Sequence, residues 1–297
     1  MTALLSPVKS KLFIVAHRRS WGLLDGEYAS VFRGRSLDYD DLREYVPGDE
    51  VRDIDWKATA RHGSPLVKRW VATRTQTVVF VVDSGRGMAA LAAGGEPKSV
   101  VGINVVGTLG YLALRHGDLV GLVEGDATAT RPYAAKGREG HLERLLRAIA
   151  ARTTLDSGPS RLSAQLEHVA SHYAGRLLLV VVADERDLDG DDVVLVRRLH
   201  AQHEVLWVTV EDADPTAVGA GRRGVGARDV GDELVMAPEV RFDEQLHAAY
   251  TASMTARRAS LASTLEGLGI VHGRVGASEQ VLSVVFRMLE RQRRRGR

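Results

Sequence analysis

The sequence contains no cysteine. That excludes disulfides, thiol nucleophiles and thiolate-ligated zinc, and it suits a reducing compartment. Long hydrophobic runs are missing as well. Leu177 to Ala183 is a run of seven residues, whereas a membrane-spanning helix needs roughly 20. The apolar stretch from Leu12 to Ala16 is too short for a secretory signal core and has no convincing cleavage site. Charge of one sign is also lacking. A net charge of +2 sets up no strong field for nucleic acid. No GxSxG nucleophile elbow, HExxH zinc motif or Walker motif occurs, so the common serine-hydrolase, zinc-peptidase and ATPase signatures are absent. The expectation is a soluble, cytoplasmic protein.

What is present describes an ordinary core. The 297 residues are 44% hydrophobic and 26% charged, enough for one large domain or a domain with an elaboration. Thr77 to Val82 (TVVFVV) and Arg176 to Ala183 are apolar runs of the kind found in strands covered on both faces. Further strands are predicted at 118–124, 128–133, 204–210 and 270–275. Helices are predicted at 98–115, 140–152, 161–173, 191–202, 242–268 and 278–293. A small hairpin is expected within the Gly-rich stretch 213–235. Strands alternating with helices give a doubly wound, mostly parallel α/β sheet. Ligands in such sheets sit at the carboxyl ends of the strands, where Asp83, Asp184 and Asp212 fall. Gly102, Gly107 and Gly110 in the 98–115 helix weaken it as a helix and imply close packing on the sheet.

Before this alternation comes a stretch of different character. Arg33 to Trp70 holds eight acidic and eight basic residues, interleaved, with Tyr39, Tyr45, Trp56 and Trp70 among them. Interleaved signs suggest a network of Arg–carboxylate pairs that fixes the shape of a loop. Its members are Arg43, Tyr45, Pro47, Gly48, Asp49, Arg52, Asp55, Trp56 and Arg61. Arg52 and Arg61 are expected to pair with Asp49, Asp53 or Asp55, with Trp56 as the anchor. Asp38 to Tyr45 reads as a short helix with an acidic first turn. Glu27 to Phe32 and Pro65 to Val71 read as strands, and a short helix opens the chain. The division is 1–75 for the N-terminal, β-containing elaboration and 76–297 for the main domain.

The block from Gly34 to Arg69 (GRSLDYDDLREYVPGDEVRDIDWKATARHGSPLVKR), then Asp83 after its strand, then Gly117 to Leu122 (GDLVGL), resembles the bacterial family called domain of unknown function 58. That family is von Willebrand factor A-like and is often encoded beside MoxR-type AAA+ ATPases. The resemblance implies the doubly wound fold, a MoxR-type ATPase as partner, and no agreed catalytic activity. It also raises the A-type metal site, in which Asp-x-Ser-x-Ser after the first strand is completed by a later Thr and Asp. Here Asp83 matches the first Asp and Asp184 the later one. Gly85 and Gly87 stand where the serines belong, Ser84 is one position off, and Ala135 to Arg138 supplies no hydroxyl. The implied site is a degenerate one with no Mg²⁺ and no other cofactor; if any metal bound, Asp83 and Asp184 would hold it. Arg86 is expected to pair with Asp83 or Asp184 in place of the cation.

The function expected is a non-enzymatic interaction module whose loop Asp83, Ser84, Gly85, Arg86, Gly87, together with Asp184, faces the partner. The alternative is a metal-dependent hydrolase using Asp83, Asp184 and Asp212. Other signals are bland. Gly219 to Gly224 matches GxGxxG without the flanking strand and helix. His168 and His172 are two helix histidines without a zinc motif. The Arg291 to Arg297 end reads as a helix terminus whose cations suit the dipole, with contact to nucleic acid or an acidic surface as the alternative.

Overall fold

A computed structural model describes residues 3–16, 28, 38–46, 49–51, 54–71, 75–216, 227–231, 234–237 and 239–295. The chain divides into two compact units, Phe32–Gln76 and the remainder, Met1–Val31 with Thr77–Arg297.

The larger unit is built on a six-stranded sheet in the order β5-β4-β3-β6-β7-β8. Its strands are β3 (Thr77–Asp83), β4 (Leu119–Gly125), β5 (Thr130–Lys136), β6 (Leu178–Asp184), β7 (Glu204–Val210) and β8 (Val271–Val275). All neighbours are parallel except β4 and β5. This is the doubly wound, mostly parallel architecture the sequence predicts. β3 is central and almost fully buried, which is why its β-branched run needs no polar alternation.

Helices cover both faces: α3 (Lys98–Arg115), α4 (Glu139–Arg152), α5 (Leu162–His172), α6 (Gly190–Gln202), α7 (Glu239–Phe242), α8 (Glu244–Gly267) and α9 (Val281–Arg295). Val79, Val81, Leu179, Val181 and Trp207 form one core with Leu166 and Val169 of α5, Leu199 of α6 and Leu265 of α8. Alternate strand residues point the other way: a Cβ at Gly110 would lie 3.5 Å from Phe80, and one at Gly102 would lie 3.5 Å from Val182. α3 therefore covers the second face. The loop after β7 holds part of the expected hairpin, an antiparallel bridge from Arg228 to Val235. The GxGxxG stretch and the Glu27–Phe32 strand, Tyr28 apart, lie outside the described residues.

The opening helix α1 (Leu5–Ala16) belongs to this larger unit, not to the elaboration as expected. It buries Leu5, Val8 and Leu12, and the Glu143 carboxylate on α4 accepts from its first N–H groups, those of Leu4 and Leu5 at 3.0 and 2.8 Å. Apolar burial and a capped end hold it there. The glycines of α3 serve this packing as well as contact with the sheet, which Gly102 makes as expected. A Cβ on Gly107 would come within 3.1 Å of Val8, and one on Gly110 within 2.8 Å of Leu142 on α4.

The smaller unit pairs β1 (Asp38–Glu44) with β2 (Leu66–Val71) in antiparallel register, with α2 (Trp56–His62) between them. The helix expected at 38–45 is thus a strand. Its aspartates carry no strand signal, and pairing with a sequence-distant partner overrides local preference. Asp55 caps α2, accepting from the N–H groups of Lys57 and Ala58. Gly63 ends it with a left-handed φ of 87°, a conformation glycine adopts without strain.

Gly110→Ala gains helix propensity of roughly 1 kcal/mol but forces a methyl into Leu142, and overpacking costs about 1–3 kcal/mol. Urea denaturation should show a net loss of about 1 kcal/mol. A gain would mean that Leu142 moves aside freely.

Candidate functional site

Asp83, Asp184 and Asp212 end or follow β3, β6 and β7, so the sheet delivers three carboxylates to one edge. A fourth residue joins them that the sequence does not single out. Lys98, the first residue of α3, is 1% exposed. Its ammonium donates to Asp184 Oδ1 at 2.5 Å and also to Asp212 Oδ1. Two features place it. Pro97 precedes the helix with φ fixed near the helical entry. The preceding loop is pinned by antiparallel bridges, Leu91 to Pro97 and Ala92 to Asp212. The loop that launches Lys98 is therefore tied to the residue that Lys98 binds. The only sequence signal was the Gly-Glu-Pro-Lys-Ser run, which imitates a phosphate loop without its spacing.

Arg86 does not do this work. Its Nη2 donates to the Gly231 carbonyl at 2.6 Å, and it pairs with neither Asp83 nor Asp184. The expectation that Arg86 stands in for a cation is corrected: the cation on Asp184 and Asp212 is Lys98, from the start of α3. Ser84 points elsewhere, as expected. Its hydroxyl donates to the fully buried Glu124 at 2.5 Å, and its N–H goes to Gly125.

The glycines at 85 and 87 make room for Ser160. A Cβ at Gly85 would lie 2.5 Å from Ser160 Cα, and one at Gly87 would lie 2.6 Å from Asp184 Oδ2 and 2.9 Å from Ser160 Oγ. Ser160 is held there by a loop with its own organiser. Asp126 accepts from the N–H groups of Thr128, Ala129 and Gly158 and from the Thr128 hydroxyl. Burial pushes the Asp126 carboxyl up, but these donors outweigh it and hold the pKa below the ordinary value.

Burial pushes the Asp83 carboxyl up to about 6. The Gly85 N–H, 2.8 Å from its Oδ1, opposes the rise. So does Ser160, whose hydroxyl leans toward Asp83 without reaching hydrogen-bond geometry. Asp212 is also raised to about 6, by burial first and then by Asp184. Burial works against the Lys98 charge, yet Asp184 and Asp212 outweigh it, and its pKa stands above the ordinary lysine value. Beside this triad lies a second network. Glu185 meets Arg258 at 2.7 Å and Arg274 at 2.8 Å, and Arg274 also reaches Glu211.

In the smaller unit, Arg43 and Asp49 form a two-pronged ion pair, with bonds of 2.8 and 2.5 Å. Asp49 also accepts from the Val46 N–H, in the Val46–Asp49 turn. Tyr45 donates its N–H to Pro65. Trp56 is 64% exposed, so it does not anchor the stretch: it opens α2 on a solvent-facing turn. Arg61 is exposed, and no described carboxylate lies within ion-pair distance of it. Pro47, Gly48, Arg52 and Asp53 lie outside the described residues. In the larger unit, His168 and His172 stack at 4.1 Å, and among the described residues no group of metal-ligating side chains forms. Arg291 and Arg295 donate to the carbonyls of His272 and Gly269, which ties the basic end to β8.

Lys98→Met keeps the volume and removes the charge shared by two carboxylates. It should destabilise the protein by about 3 kcal/mol near neutral pH, and the loss should shrink in acid as Asp212, raised to about 6, takes a proton. A loss independent of pH, measured by urea denaturation, would count against the pairing. Asp83 gives the opposite sign. Its folded pKa of about 6 exceeds the unfolded value of about 3.9. Its contribution is therefore fully present below the unfolded value and lost as pH rises through about 6. Asp83→Asn retains the acceptor for Gly85 and should become more stable relative to wild type across that rise. An equal difference at both ends of the window would refute the assignment.

Comparison with known proteins places these features in a family. Residues 41–260 match the model for the protein of unknown function DUF58. Uncharacterized proteins of Mycobacterium tuberculosis and Mycobacterium bovis are 27% identical over 256 residues, covering 84% of this chain and 77% of theirs. Among solved structures, an aerotolerance-related membrane protein from Bacteroides fragilis aligns with a TM-score of 0.43 and 16% identity, over 73% of this chain and 99% of that one. A von Willebrand factor type A protein from Catenulispora acidiphila aligns at 0.42 and 9% identity, over 75% of this chain and 44% of that one. No helix among the described residues is long and apolar enough to cross a membrane. By the match over most of its length, the chain belongs to the DUF58 family.

Proposed function

We propose that this chain is a non-enzymatic, cytoplasmic interaction module that works with a MoxR-type AAA+ ATPase in the assembly or maturation of protein complexes. The single observation that carries this reading is the Lys98 ammonium on Asp184 and Asp212. Mg²⁺ requires oxygen ligands in a tight octahedron about 2.0–2.1 Å from the ion. Here an ammonium already occupies the two carboxylates, the serine hydroxyls are replaced by glycines, and Ser160 lies where side chains at 85 and 87 would go. These residues do not fit the divalent ion of A-type domains. The edge is instead a degenerate metal site whose cation is built into the chain. The same fit opposes a metal-dependent hydrolase built on Asp83, Asp184 and Asp212.

A fixed internal cation favours a surface that is permanently formed. Such a surface suits recognition, with any ATP hydrolysis supplied by the partner. The ATPase partnership draws on the family resemblance carried by Gly34 to Arg69.

Affinity capture from a native lysate with the full chain should enrich an AAA+ ATPase of the MoxR type, identified by mass spectrometry, and Asp83→Ala should weaken that capture. Phosphatase and nuclease screens with Mg²⁺ or Mn²⁺ should show no turnover. Absence of any such ATPase, or turnover abolished by Asp184→Asn, would overturn the reading.

A further inference from the structure

In the smaller unit, α2 is held from one side and open on another. The Thr59 hydroxyl accepts from the Leu66 N–H at 3.0 Å, and the Asp55 N–H donates to the Leu66 carbonyl at 2.9 Å. These bonds turn the Thr59 side of the helix toward β2. At about 100° per residue, Trp56, Lys57, Ala60 and Arg61 share one arc of about 140° that leaves Thr59 out. All four are exposed. Trp56 is 64% exposed, whereas Trp207 in the core of the larger unit is 2% exposed.

The charge on this arc is of one sign. Lys57 and Arg61 stand four residues apart on the helix, so they are neighbours along its surface. Among the described residues neither has a carboxylate within ion-pair distance. Asp55, next to Trp56, is turned to the backbone N–H groups of Lys57 and Ala58. Ala60 lies one turn after Trp56, and its methyl group leaves a shallow notch beside the indole. Val51, 61% exposed, sits in the turn that leads into the helix, where its carbonyl accepts from the Ile54 N–H at 3.2 Å.

We infer that this face of α2 docks an acidic, apolar segment of a partner protein. An apolar side chain of the partner covers Trp56 in the Ala60 notch, and its carboxylates meet Lys57 and Arg61. The surface is separate from the carboxyl edge of the sheet and does not depend on the ATPase partnership. Trp and Arg are the residues that most often carry the energy of such contacts, the aromatic ring filling a pocket and the cation pairing beside it. A nucleic acid fits less well. Phosphate backbones are held by many cations at once, whereas Arg33 to Trp70 balances its eight basic residues with eight acidic ones.

The test uses the full chain and the fluorescein-labelled peptide EELEEFLEEL, whose apolar residues fall on one helix face, followed by fluorescence anisotropy at low salt. Binding should weaken about tenfold in Trp56→Ala, with an unchanged melting curve. It should weaken in Lys57→Gln/Arg61→Gln too, which should also lose most of the salt dependence. Arg198→Gln, an exposed arginine on α6, should bind as wild type does. No binding, or binding that ignores Trp56, overturns the inference. So does a lowered melting temperature in Trp56→Ala, because the indole would then be packed within the chain. Displacement of the peptide by oligothymidine at lower concentration than by unlabelled peptide also overturns it and marks a nucleic-acid surface. Trp56-dependent peptide binding alongside failed ATPase capture would leave this face standing and remove the partnership. Successful capture without peptide binding would do the reverse.

Discussion

The Lys98 ammonium, buried between Asp184 and Asp212, is the contact on which the carboxyl edge of the sheet depends. Three parallel strands end with carboxylates at one place, and like charges brought together out of water repel strongly. A divalent ion is one solution to that problem. A lysine at the start of a helix is another, and this chain adopts it. The consequences spread outward. Asp212 is drawn down against Ala92, the loop 90–97 is fixed, and α3 is given its starting point over the second face of the sheet.

The neighbouring loops are arranged around this choice. With glycine at 85 and 87, Ser160 moves into the space beside Asp83. Asp126 gathers four donors to hold the loop that carries it. Glu185 and Glu211 receive Arg258 and Arg274 from α8 and β8, which neutralises the next carboxylates along the edge. Nearly every strand-end charge is therefore satisfied from within.

Much of the larger unit was legible because its strands are continuous apolar runs and its helices lie between them at regular intervals. Period and length are local properties, and the sheet order follows from them with few alternatives. The strand-end aspartates were legible for the same reason. Lys98 was not. Nothing in its local sequence distinguishes a lysine that enters a buried site from one that points to water; its role arises from a Pro-started helix aimed at strands more than eighty residues away. The interleaved charge marked Arg43 and Asp49 as network members, but Asp49 was expected to pair with Arg52 or Arg61; six residues and a turn bring it to Arg43 instead. The strand at Asp38–Glu44 was not foreseen, because it is decided by pairing with β2, about twenty residues and more downstream; the exposed Trp56 was not foreseen either. The opening helix was assigned by sequence position, whereas its place is set by Glu143 and by Gly107 of α3.

We propose that the edge carboxylates are committed to an internal cation, Lys98, and not to a metal. Isothermal titration of the full wild-type chain with Mg²⁺ tests it most directly. The account predicts no binding heat into the millimolar range. Saturable Mg²⁺ binding at micromolar affinity, lost in Asp83→Asn or Asp184→Asn, would contradict it.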